Sequence, residues 1–502
     1  MTEGPPPLDR ALVQGIAWTS AVRWLAQILS WLSTLVVVHL LRPSDYGLVG
    51  MALVFFGIAQ MFSEAGIPIA VVQLRWLTER QIAQLGGLAL MLAVGLCATT
   101  AGLSGAVAWF FAEPAVRWII LALSVTFLTR GAQVLPRALL SRDLAFTRLA
   151  RIDGIEALVM IAVTLALAVE KLGYWALVGG PVVSSAVSTV LCLTARRHAV
   201  LFPRHLGELR DAMRLSRRVL GSQLAWYAYS NSDFTVIGRV LGAAALGTYT
   251  MAWTVALIPV DRISALVGRV TPAFFSVVQT DPAALRRYFG GLSRALSLCT
   301  LPACVGLALV ARDFVPVVLG ARWSGVVSPL RILAAYAALR SLIVLAPQIL
   351  VARGRERASM NLSILCALIL PVVFYAGSRW GLGRGAGTTG VALGWVTVYP
   401  AIAVAGFLRL ALRSIGMSWR EYGRALWPAT SATAVMAIAV LGAHAVAGHA
   451  AARSRLLIEI GMGALVYVGI LLGFHGADLR AWVPLLRSRR PSPSPPPPPP
   501  PP

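Results

Sequence analysis

Apolar runs of about 20 residues alternate with short polar breaks along almost the whole chain. That is the length an α-helix needs to cross a hydrocarbon core of ~30 Å. About fourteen such runs can be drawn, near residues 14–41, 46–73, 82–111, 115–140, 149–169, 173–195, 217–241, 245–278, 290–311, 327–352, 359–379, 387–412, 426–447 and 456–474. The fourth, fifth and seventh carry charges that weaken them. Lipid offers no water to the backbone, so each run must satisfy its own N–H and C=O groups, which favours helix over sheet. The pattern therefore predicts an all-α polytopic membrane protein.

Composition agrees with this reading. The 502 residues are 58% hydrophobic and 13% charged, with a mean hydropathy of +0.75. A soluble chain of this size needs far more charged surface. The formal charge of +24 would suggest a nucleic-acid partner until the charges are placed on the ladder of spans. Most of the arginine then falls on the side of the N-terminus, in "RALLSRDLAFTRLAR" (137–151), "RRHAVLFPRHLGELRDAMRLSRR" (196–218), "ARGRERAS" (352–359) and "RSRRP" (487–491). This is the positive-inside pattern. It predicts cytoplasmic termini and accounts for the charge without nucleic acid. Attraction to anionic lipid on the same leaflet follows from it.

Five cysteines, Cys97, Cys192, Cys299, Cys304 and Cys366, all fall in predicted spans. None has zinc-ligand spacing with a histidine, so they are expected as small packing residues, with no metal site and no cofactor. The opening "MTEGPPPLDR" lacks the pattern of a cleavable signal peptide, so the first span is expected to remain in the membrane. The run "PSPSPPPPPPPP" from Pro491 has nothing to bury and is expected as a polyproline II extension.

The chain also repeats itself. Shifted by 200 positions, "VVVHLLRPSDYGLVGMALVF" (36–55) overlays part of "SDFTVIGRVLGAAALGTYTMAW" (232–253). Val36 meets Val236, Leu41 meets Leu241, Gly47 meets Gly247, Met51 meets Met251 and Ala52 meets Ala252. "IAVVQ" ending at Gln73 matches "FSVVQ" ending at Gln279, an offset of 206 that implies one short insertion. Spans 1–6 and 7–12 read as two copies of a six-helix unit that both start in the cytoplasm. Such parallel repeats are related by an axis along the membrane normal, with the transport site between them. The expected division is a tail (1–10), an N-terminal bundle (11–200), a C-terminal bundle (201–412), two further spans (413–478) and a basic, proline-rich tail (479–502).

"VIGRVLGAAALGTYTMAW" (236–253), "HLLRPSDYGLVGMA" (39–52) and "LPACVGLALVARDFVPVVLGARWSGVVSPLRILA" (301–334) resemble signature segments of the polysaccharide and lipopolysaccharide biosynthesis flippases. These belong to the multidrug, oligosaccharide-lipid and polysaccharide exporter superfamily. The resemblance covers about residues 11–412. It implies a bacterial inner-membrane transporter that moves a polyprenyl-diphosphate-linked glycan from the cytoplasmic to the outer leaflet. The product would feed capsule, exopolysaccharide or O-antigen assembly, with glycan polymerase and glycosyltransferases as pathway partners. One departure is that the acidic residue at the end of span 2 stands as Glu64-Ala65-Gly66, displaced by one, so no mechanism is rested on Glu64.

A diphosphate and a sugar need cationic groups in a wet cavity to cross apolar depth. Arginine suits this because its planar fork binds phosphate oxygens in pairs and stays charged. The ionisable residues within spans include Arg23, Glu64, Arg130, Asp153, Glu156, Asp233, Asp261, Arg262, Arg269, Arg331 and Arg340, each a functional candidate by default. Arg23, Arg130, Arg262, Arg269 and Arg340 are the candidate substrate-binding cations. Arg262 and Arg269 share a helix face about 10 Å apart, while snorkelling to headgroups is the plainer reading of Arg23, Arg130 and Arg269. Arg239, near a span end, reads as snorkelling. Asp233, with Ser230, Asn231 and Ser232 beside it, reads either as the partner of an arginine or as a coupling carboxylate. Glu64 and Asp261 are lesser candidates for the same two roles.

Other motifs fail their context. "GLGRGAGTTG" (381–390) lies in a predicted outer turn with no strand around it, and the single lysine, Lys171, follows Glu170, so no nucleotide loop of the Walker type is expected. No two of the six histidines form a ligand pair at helix spacing. A glycan polymerase or ligase is disfavoured by the short outer connection at 312–326. A multidrug or other lipid exporter of the same superfamily is the alternative to a glycan flippase.

Overall fold

The computed structural model describes residues 27–63, 71, 77–202, 224, 226–268, 271, 275, 278 and 281–476, with the side chain at 266 excepted. Among these residues the regular structure is entirely helical. Twelve helices are long and apolar enough to cross a membrane, and Gln27–Leu40 is a shorter apolar helix. In chain order they are α1 (Gln27–Leu40), α2 (Pro43–Ser63), α3 (Glu79–Phe111), α4 (Pro114–Arg142), α5 (Phe146–Val169) and α6 (Trp175–Ala195). The helix Ser232–Gly268 then breaks at Gly242, whose φ of 83° lies in the left-handed region. Glycine reaches that region without a Cβ clash, so the stretch is two helical elements, α7 (232–241) and α8 (243–268). The series closes with α9 (Pro282–Leu319), α10 (Ala321–Ala352), α11 (Glu356–Leu382), α12 (Gly387–Ile415), α13 (Trp419–Val446) and α14 (Ala452–Phe474). The elements follow the run of apolar segments one for one, and the chain is an all-α, multi-pass membrane protein.

Packing repeats with the sequence. α3 lies on α4, α4 on α6 and α5 on α6, and likewise α9 lies on α10, α10 on α12 and α11 on α12. The halves meet chiefly along α2 and α8, while α13 and α14 pack on each other and on α9. The end carrying the α1–α2 and α7–α8 corners is taken as the upper end. Three helices that rise from the lower end start in side-chain caps. Thr78 and Gln81 form a capping box at α3, Ser418 and Glu421 another at α13, and Asp281 accepts from the N–H groups of Ala283 and Ala284 at α9. Each cap satisfies donors that lipid would leave bare. Pro282 at the first turn of α9 lacks one such donor to begin with. The turn in "GLGRGAGTTG" is confirmed as the α11–α12 connection, with Gly385 at φ 67°.

Candidate functional site

The repeated motif lies on the axis between the halves. A Cβ added to Gly47 would stand 1.7 Å from the Ala243 carbonyl oxygen, and one added to Gly247 would stand 1.6 Å from the Pro43 carbonyl oxygen. Two glycines 200 positions apart thus play the same part, each letting the other half's backbone lie against its own helix. One turn deeper the contact passes to side chains, where Gly50 faces Leu246 and Thr250. The start of α10 closes over this crossing. Trp323, fully buried, donates its Nε1–H to the Val38 carbonyl at 3.0 Å, and Tyr46 meets its ring edge-on at 5.4 Å between centroids. Arg322 Nη1 donates to the carbonyls of Leu40 and Leu41 at 3.4 and 3.3 Å. These carbonyls end α1, and a cation there also offsets the helix dipole. The upper end is sealed by backbone, ring and cap together.

The lower end is different in chemistry. Arg262 lies fifteen residues below Gly247 on the same helix, or roughly 22 Å. It is exposed, donates to Gln27 Oε1 of α1 at 3.3 Å, and places its guanidinium 5.7 Å from the Trp31 ring. Arg340 on α10 is half-buried and forms an ion pair with exposed Asp261 at 3.1 Å. Asp261 thus does have a partner, one that helix position alone did not supply. Arg130 on α4 is exposed and pairs with no described residue. Higher up, Tyr227 donates to the Val54 carbonyl across the halves at 2.8 Å. Arg23, Glu64 and Arg269 lie outside the described residues. Arg331 and Arg239 are exposed, and Arg239 sits 5.9 Å from the Phe110 ring.

Of the two readings of Asp233, a pair with an arginine finds no such arginine among the described residues. The Asp233 carboxylate is fully buried and is held by neutral donors: Tyr249 Oη–H at 2.7 Å and Trp395 Nε1–H at 2.9 Å, both to Oδ2, with the Phe234 N–H on Oδ1 at 2.9 Å. Aromatic rings enclose the group, with Trp253, Tyr336 and Phe374 packed around Trp395. No cation among the described residues reaches it. Tyrosine and tryptophan do the work assigned to arginine because they carry a single polar atom on an apolar body, so their donors reach the carboxylate without burying a second charge.

The N-terminal half resolves its own charges otherwise. Arg137, read as a loop arginine, lies within α4 and pairs with Asp153 at 2.7 Å and Glu156 at 2.8 Å on α5. It also donates to Ser188 on α6 at 2.8 Å and to Gln133 one turn away at 3.0 Å. Gln133 continues the network to Thr189. Sequence reading missed Arg137, although the i, i+4 spacing of Gln133 and Arg137 was a signal that both face one way.

Comparison with known proteins fits this geometry. A family model described as "Polysaccharide biosynthesis protein" matches residues 36–328. The lipopolysaccharide biosynthesis protein WzxC of Escherichia coli K12 is 25% identical over 429 residues, covering 84% of this chain and 85% of that protein. The teichuronic acid biosynthesis protein TuaB of Bacillus subtilis is 26% identical over 475 residues, covering 93% and 96%. In structure, the lipid II flippase MurJ in an inward closed conformation superposes with a TM-score of 0.71 at 14% identity, covering 92% of this chain and all of that one. At that identity the likeness speaks for the fold.

Proposed function

The chain belongs to the polysaccharide biosynthesis protein family, and from that premise we propose that it flips a polyprenyl-diphosphate-linked oligosaccharide. The direction is from the cytoplasmic to the outer leaflet of the bacterial inner membrane, in the service of surface glycan assembly. Both termini and the lower end face the cytoplasm, as the arginine-rich loops require. The two bundles, residues 11–200 and 201–412, rock against each other, in contact at the Gly47–Gly247 crossing in the upper-sealed state and parted there in the other, to expose the site to each side in turn.

The observation that carries this reading is the contrast between the two ends of the interface. The upper end is closed by a backbone crossing and a buried tryptophan. The lower end presents exposed Arg262 and half-buried Arg340, and we assign exposed Arg130 of the other half to the same set. A lipid diphosphate entering from below meets planar donors there, which replace part of the hydration it loses. Arg23 and Arg269, outside the described residues, are proposed for the same role from their sequence positions alone. Arg262 is held by one neutral amide and a ring face, so a phosphate has little to displace. Arg340 must be shared with Asp261, which makes it the natural exchange point between an internal ion pair and the substrate. Asp233, buried with no counter-cation among the described residues, supports a coupling role in which a small cation enters when the helices around it part. Glu64 remains a lesser candidate for that role.

The test is a deletion strain analysed for surface glycan and for the leaflet in which the lipid-linked repeat resides. The expected result is accumulation in the cytoplasmic leaflet, reversed by the plasmid-borne gene. Unchanged glycan and leaflet distribution, with drug sensitivity instead, would replace this proposal with multidrug export.

A further inference from the structure

Away from the interface, at the upper ends of α9, α13 and α14, the fold gathers three residues that the spacing of histidines and cysteines along the chain did not connect. Asp313 comes from the last turn of the α-helical part of α9, His444 from the last turn of α13 and Glu459 from the second turn of α14. One ligand atom from each lies within 4.8 Å of the other two. His444 Nδ1 stands 2.6 Å from Glu459 Oε1 and 3.9 Å from Asp313 Oδ2. Arg455 holds Asp313 through its Nε at 2.7 Å and through a second bond from Nη2 to Oδ1, and also donates to the Gly448 carbonyl at 3.3 Å.

One atom in this cluster has no hydrogen-bond partner among the described residues. Glu459 is 1% exposed, and its Oε2 is buried with no hydrogen bond. A buried acceptor left bare costs about 1–3 kcal/mol, more if charged. Protonating His444 would strengthen its bond to Oε1 and leave Oε2 as it is. The two carboxylates share this end of the helices with the Arg455 guanidinium, the neighbouring Arg312 and the imidazole. The bare acceptor is relieved by a cation in the space the three ligands share.

We propose that Asp313, His444 and Glu459 form a binding site for a divalent transition metal of the zinc class, tying α13 and α14 to α9. An imidazole with two carboxylates suits zinc better than the all-oxygen sets that calcium and magnesium prefer. Ligand atoms around a tetrahedral zinc lie about 3.4 Å apart given bonds of ~2.1 Å. The His444–Asp313 separation already approaches that. The His444–Glu459 hydrogen bond opens by under about 1 Å as its proton leaves, and Oε2 becomes available to the ion. Asp313 binds through Oδ2 while Arg455 keeps the carboxylate in orientation, as outer partners of metal ligands commonly do. His444 is 42% exposed, which leaves an entry path and a fourth position for water. An apolar cluster that includes Val310, Val440 and Leu456 packs the same three helices together and limits escape downward.

The experiment uses the full-length protein purified in detergent, stripped with EDTA and titrated with zinc chloride. Bound metal is measured by mass spectrometry after gel filtration, alongside thermal unfolding. One zinc per chain and a raised Tm are expected, with His444→Ala and Glu459→Gln losing at least about 100-fold in affinity. His449→Ala, at an exposed neighbouring histidine, should bind as the parent does. Should His444→Ala misfold, His444→Cys retains a ligand, and cobalt(II) bound to it should show a thiolate charge-transfer band that the parent lacks. Absence of stoichiometric zinc in the parent overturns the proposal. So does equal binding by the His444 and Glu459 variants, or a cobalt spectrum that the cysteine leaves unchanged.

Discussion

Replacing Gly47 by alanine adds one methyl group where the structure leaves no room for it. Its Cβ would lie 1.7 Å from the Ala243 oxygen and 2.5 Å from the Ala243 carbonyl carbon, while ordinary contact begins near 3.4 Å. The α8 backbone must therefore retreat by roughly 1.7 Å, and a helix backbone cannot rotate aside as a side chain does. Overpacking of this kind costs about 1–3 kcal/mol, and here the strain falls on the sealed state alone, because the halves part at this crossing in the other. The ratio of sealed to unsealed protein should drop about 5- to 150-fold. Gly50→Ala is the internal control, since its Cβ meets only Thr250 Oγ1 at 3.3 Å and the Leu246 side chain beyond. A cysteine placed at Thr248, half-buried beside the crossing, should react with an impermeant thiol reagent faster in the Gly47→Ala background, scored after the five native cysteines are replaced. Gly247→Ala should behave as Gly47→Ala does. Equal labelling in the Gly47 and Gly50 variants, with equal thermal stability, would refute the argument that this crossing is the seal.

Three further outcomes follow from the same geometry. Arg262→Ala should reduce surface glycan strongly, Arg262→Lys should fall between it and the parent because the charge remains without the fork, and Arg239→Ala should stay near normal, all at matched membrane levels. Tyr249→Phe and Trp395→Phe each strip a donor from buried Asp233 and should lower thermal stability by about 1–3 kcal/mol. Each loss should shrink when Asp233→Asn is already present, which a double-mutant cycle measures. Reporter fusions after residues 200 and 490 should report the cytoplasm and those after 113 and 320 the outside; a fusion after 490 that reports the outside would overturn both the span count and the parallel repeat.

Span number, helical class and the duplicated motif were legible in the sequence because each rests on a local or periodic rule. A run of twenty apolar residues has one low-energy answer in lipid, and Gly242 between two such runs marks the corner that separates α7 from α8. The identity of Gly47 and Gly247 at a fixed offset indicated that they matter alike. It did not say that each would touch the other half's backbone, since that requires two helices to cross at those positions. Charged residues were located along the chain with fair depth, but their partners were not. Asp261 turned to Arg340, Asp233 to a tyrosine and a tryptophan, and Arg137 to two carboxylates on the next helix. Asp313, His444 and Glu459 were unconnected letters until α9, α13 and α14 packed. The physical reason is common to all of these. Hydropathy acts on each residue against its solvent and can be summed along a sequence, whereas a hydrogen bond or ion pair is a short-range bargain between two groups whose distance only the tertiary packing sets.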